Sequence, residues 1–113
     1  MILSAVGAYQ LVETLRASSR LAEREVPHAV NYLFEPARFR EPRGPREAAH
    51  MTGDDVRRHL FPADVPARVF LSHTRPGTLL GVLHPFSATG HSIGLGFANH
   101  GGTLDTPGML FVN

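Results

Sequence analysis

The 113-residue chain contains no cysteine, no tryptophan and no lysine. Without cysteine there is no disulfide framework, no thiolate zinc site and no cysteine nucleophile. Without lysine there is no Schiff-base chemistry and no phosphate-binding loop lysine, and all eleven positive charges are arginines. A formal net charge of +1 provides no general attraction to nucleic acid or to an anionic membrane, and neither is expected as a partner. No apolar run approaches the ~20 residues of a membrane span. The opening Met1-Ile2-Leu3-Ser4-Ala5-Val6-Gly7-Ala8 lacks the basic start of a secretion signal, so it reads as part of the mature fold of a cytoplasmic protein.

What is present suits one small globular domain over 1–113, since 42% of residues are hydrophobic and only 19% charged. The charge is unevenly placed. Glu13 to Asp64 carries nine acids and nine arginines, whereas beyond Val65 only Arg68, Arg75 and Asp105 are charged. Eight of the eleven glycines also fall in that second half. The chain therefore divides into an N-terminal helix-strand arm (4–34), a charged loop with a short helix (35–64) and a glycine-rich unit (65–113).

Ala8, Leu11, Val12, Leu15 and Ala22 recur at helical steps, which predicts a helix from about Ser4 to Arg24, stopped by Pro27. His28 to Phe34 reads as a strand, with Ala29, Asn31 and Leu33 on one face. The stretch EPARFREPRGPR (35–46) has three prolines, and its arginines are interleaved with Glu35 and Glu41; it follows no structural period and reads as a solvated loop. Thr52 and Asp55 have capping-box spacing before a helix from Gly53 to Leu60. Arg68 to His73 is strand-like and Thr78 to Ser87 helical. His91 to Ala98 alternates Ile93, Leu95 and Phe97 against a face almost bare of side chains, and Met109 to Val112 supplies another strand.

Residues 75–93, RPGTLLGVLHPFSATGHSI, resemble the first loop, helix and second strand of the ACT domain in the form found at the C-terminus of prephenate dehydratases. The resemblance extends over about 67–113. It implies an α+β fold: a ferredoxin-like antiparallel sheet with helices on one face. Because the chain stops after a third strand, the N-terminal helix and strand would complete that sheet by circular permutation or strand swapping. The family's Glu-Ser-Arg-Pro effector signature is replaced here by Leu95-Gly96-Phe97-Ala98, and its catalytic Thr-Arg-Phe element has no counterpart, so no dehydratase activity follows.

The resemblance implies a regulatory protein that binds an amino acid or a related small carboxylate at the interface of a homodimer or higher homo-oligomer, within aromatic amino-acid metabolism. Arg75 would donate to the carboxylate, the amides of Gly77, Thr78 and Leu79 would add helix-terminal donors, and His91 and Ile93 would lie nearby. Two other functions compete with it. A compact enzyme acting on an aromatic or keto acid would use His91 or His100 as acid-base, oriented by Asp105. An interaction module would instead complete a partner protein through an open strand edge. The spacings of His73, His84, His91 and His100 match no compact ligand motif, so no metal and no cofactor is expected.

Overall fold

The computed structural model describes residues 1–87 and 91–97. Four strands, β1 (Ile2–Val6), β2 (Ala29–Tyr32), β3 (Ala67–Ser72) and β4 (His91–Leu95), form one sheet in the order β2-β1-β3-β4. All three pairings are parallel, with Ser4 opposite both Asn31 and Phe70, and Phe70 opposite Gly94. The helices are α1 (Ala8–Glu23), α2 (Pro45–Ala48), α3 (Asp54–Leu60), α4 (Pro76–Val82) and α5 (His84–Ser87), with a 3₁₀ turn at Pro36–Phe39.

This is an α/β architecture, and it overturns the antiparallel ferredoxin-like expectation together with its permuted or strand-swapped form. The error begins at β1. Residues 2–6 are buried throughout, as a central parallel strand must be, and such a continuous apolar run carries no alternation that marks it as a strand. Gly7 separates it from α1: its φ of 111° lies outside the helical region, so the helix cannot begin at Ser4. Once β1 lies between β2 and β3, each connection is a crossover and every neighbour runs parallel. The strand expected at 109–112 lies outside the described residues.

The two sheet faces are covered unequally. Val6 and Phe70 point toward a core that also takes in Leu33, Phe39, Phe61, Leu79 and Leu83 from the segments after β2 and β3. Phe61 is the hub: its ring stacks on Phe86 at 4.4 Å and on Phe70 at 6.1 Å and meets Phe39 edge-on at 5.6 Å. Arg68, buried at the start of the same face, donates to the carbonyls of Pro62 (2.7 Å) and Phe86 (3.3 Å). Asn31 donates to the carbonyl of Leu60 at 2.7 Å. The charged middle segment is therefore a roof anchored by Phe39 and Phe61, with Arg57 turned in to donate to the Phe39 carbonyl at 3.2 Å, rather than a free loop.

The opposite face is covered by α1 over β1 and β2. Thr14 is the buried residue of this helix, and its hydroxyl returns to the carbonyl of Gln10 at 2.7 Å. Toward β4 no helix among the described residues covers that face, and Ile93 and Leu95 are almost half exposed. The bare face of β4 packs against α4: a Cβ on Gly94 would come within 3.0 Å of the Leu80 side chain. Those glycines admit a helix rather than a ligand. At α3 the expected Thr52 capping box is absent, and Gly53 occupies the cap position with no side-chain hydrogen bond.

Phe70 is fully buried between β1 and the aromatic cluster. Phe70→Ala should cost about 3–5 kcal/mol of unfolding free energy in urea titrations, the range for deleting a core ring. A loss below ~1 kcal/mol would show that this cluster is not the core.

Candidate functional site

In an open parallel sheet, ligands meet the carboxyl ends of the strands, most often where successive connections leave on opposite faces. Here that place lies between β1 and β3. After Val6 the chain turns through Gly7 into α1 on one face; after Ser72 it turns through His73 and Thr74 into α4 on the other. A Cβ on Gly7 would overlap the Gln10 carboxamide oxygen and approach His73 Nδ1 to 3.0 Å, so both side chains lean over the glycine. His73 Nδ1 lies 3.2 Å from the Val6 carbonyl. A carbonyl only accepts, so Nδ1 carries the hydrogen and the lone pair of the neutral ring sits on Nε2.

On the roofed face, a groove of about 730 Å³ runs along α4, between it and the arginine segment. Arg40, Glu41 and Arg43 line one wall, and Gly77, Thr78, Gly81, Val82 and His84 line the other. Gly77 and Gly81 leave their wall low, since a Cβ on either would meet nothing within 4 Å. Arg40 and Arg43 share a single carboxylate, Glu47, at 3.1 and 2.7 Å. Arg43 holds it from three sides, with Nε, Nη2 and the backbone N–H all donating. These side-chain and backbone hydrogen bonds from Arg43, followed by those from Arg40, lower the Glu47 carboxyl to a pKa of about 2. The same contacts raise the Arg43 guanidinium above its ordinary value.

Two guanidinium groups thus share one structural acid, and Glu41 sits on the groove wall with no ion pair among the described residues. The groove presents positive donors, a free carboxylate, the Thr78 hydroxyl and the His84 imidazole. Arg43 keeps its Nη1 hydrogens for a ligand. A hydroxyl–imidazole pair does occur elsewhere. Ser18 donates to His28 Nε2 at 2.6 Å because His28 Nδ1 is committed to the Val26 carbonyl at 2.8 Å. That pair joins α1 to the start of β2, at the amino end of the sheet.

The residues singled out in the sequence do not form one cluster. Gly77 and Thr78 line the groove, and Arg75 caps α4 close to them in the chain, with its side chain in solvent. The Leu79 side chain is buried in the core, and the amides of Thr78 and Leu79 donate to the Arg75 carbonyl at 3.0 and 3.4 Å. His91 opens β4 opposite Ala67, at the amino edge, so the length of a strand, ~16 Å, separates it from Arg75. Ile93 points to the face of β4 away from α4. His100 and Asp105 lie outside the described residues. Arg40, Glu41 and Arg43 belong to the stretch whose lack of period reads as a solvated loop, and the interleaving of acids and arginines in EPARFREPR is their only trace in the sequence; Glu47 lies just beyond it.

Among the described residues, no three histidines or acids are gathered to hold a metal, and no helix is long and apolar enough to cross a membrane. No family model, no curated protein and no solved structure matches the chain. Nothing identifies an ACT domain, and the parallel sheet departs from the architecture that resemblance implies.

The depressed pKa of Glu47 sets a pH limit on the arginine wall. A carboxyl lowered on folding stabilises the fold above its unfolded pKa, near 4.3, and loses that contribution as the pH falls through about 2. A side-chain carboxyl NMR titration should place the Glu47 midpoint near 2, and a midpoint near 4.3 would show that the arginines do not hold it.

Proposed function

We propose that this chain is a small-molecule-binding α/β unit whose groove between the arginine segment and α4 takes a free amino acid or a closely related zwitterion. The supporting observation is the pairing of opposite charges on one wall: Arg40 and Arg43 with donors to spare, and Glu41 without a protein partner. A carboxylate alone would be repelled by Glu41, and an amine alone by the arginines. A molecule carrying both groups a few ångströms apart satisfies the two together. The volume falls within the range of small-ligand clefts, and the low glycine wall leaves room for a side chain beyond the charged end.

The carboxylate would take charge-assisted bonds from Arg43 and Arg40, held ready by Glu47 so that little side-chain ordering remains to be done on binding. Glu41 would accept from the ammonium, and Thr78 would add a hydroxyl at the start of α4. Among the described residues no hydrogen bond joins the Thr78 hydroxyl to the His84 imidazole or to Glu41, so the groove holds recognition groups rather than a coupled nucleophile and base, which favours binding, with a regulatory role, over turnover.

Titration calorimetry with the common amino acids, their deaminated acids and acetate tests this reading. At least one amino acid should bind tightly enough to measure. Arg43→Ala should weaken it about tenfold, equivalent to ~1.4 kcal/mol. Glu41→Gln should bring the amino acid and its deaminated acid to similar affinities, weakening the first and, with the repulsion removed, strengthening the second. If acetate binds as well as any amino acid, or if neither substitution matters, the groove is not the site.

A further inference from the structure

The apolar stripe of α1 does not face the sheet squarely. At about 100° per residue, Leu11, Ser18, Ala22 and Leu15 all lie to one side of the buried Thr14, at roughly 60°, 40°, 80° and 100°. The hydrogen bond from Ser18 to His28 identifies that side as the one toward β2. Leu15 is left 51% exposed there, and at the end of β2 stand Tyr32, 42% exposed, and Phe34, 85% exposed. The two aromatic rings meet edge-on at 5.8 Å.

β2 is also an open edge: among the described residues it pairs only with β1. Ala29 and Leu33 donate their N–H groups to the Met1 and Ala5 carbonyls, so by ladder geometry Asn31 also faces β1, while Val30 and Tyr32 present both backbone groups outward. Edge strands that stay solitary are normally guarded by charge, proline or a bulge. The strand Ala29-Val30-Asn31-Tyr32 has neither charge nor proline.

We infer that a second copy of this chain covers this surface, joining β2 to β2 antiparallel about a two-fold axis perpendicular to the sheet. The register follows from the outward groups. Val30 opposite the partner's Tyr32, and the converse, makes four backbone hydrogen bonds, with Asn31 on the axis. The axis keeps both α1 helices on one face of an eight-stranded sheet, bringing Leu15 of the two copies together above the joined edges. Such a contact is isologous and closes on itself. Tyr32, Phe34 and Leu15 offer roughly 300 Å² of apolar surface, from about 200 Å² per aromatic side chain and about 100 Å² per aliphatic one. That is about two-thirds of the apolar share of the ~800 Å² each subunit contributes to a standard interface, and the joined strand edges add to it. A second copy supplies the same unguarded edge and the same stripe, so both features are covered at once.

Sedimentation equilibrium of the full chain between 5 and 500 μM tests this. The expected species is a reversible dimer of twice the 12.3 kDa chain mass. Val30→Pro removes only an outward N–H and leaves the β1 ladder intact; it should raise the dimer dissociation constant at least tenfold with unchanged circular dichroism. Leu15→Glu, at an exposed helix position, should do the same and keeps the test decisive should the proline variant misfold. A wild-type chain that stays monomeric at 500 μM, as it would if the edge served a different protein, overturns the inference. So does a dimer that neither substitution weakens.

Discussion

β1 has neighbours on both edges and cover on both faces, and the remaining structure follows from that burial. A five-residue strand in this position has every backbone group committed to β2 or β3, so both partners must be supplied by segments that return from the far end of the sheet. Each return needs a crossover long enough to traverse the sheet. Here α1 provides one and the long roof before β3 provides another. Ser4, enclosed between Asn31 and Phe70, shows how little room remains at the centre.

The roof explains how so charged a segment belongs to so apolar a fold. Phe39 and Phe61 hold it down, Arg57 lies 5.2 Å over the Phe86 ring, and the remaining arginines are displaced to the rim. The rim faces α4, which the glycines of β4 allow to sit close to the sheet. The groove is therefore a by-product of packing: two layers anchored by aromatic side chains leave a cleft between their polar margins. Glu47 converts that cleft into an ordered wall by engaging two arginines at once.

Much of this was legible in the residues. The spans of α1, β2, α3, β3 and β4 agree with their periodicity to within a few positions, and of Ala29, Asn31 and Leu33, which the alternation puts on one face of β2, Asn31 and Leu33 are buried and Ala29 is exposed. β1 was not legible, because a strand buried on both faces has no period to distinguish it from a helix or a leader; losing it reversed the assigned direction of the sheet. The site was half legible. Gly77 and Thr78 were recognisable as a turn into a helix, but Arg40, Glu41 and Arg43 lie more than thirty residues away in the chain and reach the groove only through the anchoring of Phe39. His91 lies away from Arg75 for a geometric reason: in a parallel sheet, the start of β4 and the end of β3 are at opposite edges.

The direction of the strands beside β1 decides whether this account holds. Nuclear Overhauser contacts between backbone protons of residues 2–6 and those of 29–32 and 67–72 would show it directly. Staggered amide-to-Hα contacts should advance in the same direction along all three segments, with Ser4 linked to both Asn31 and Phe70. Close Hα–Hα contacts whose partners run in the opposite direction, or the absence of either neighbour, would contradict a parallel sheet built around β1 and the groove derived from it.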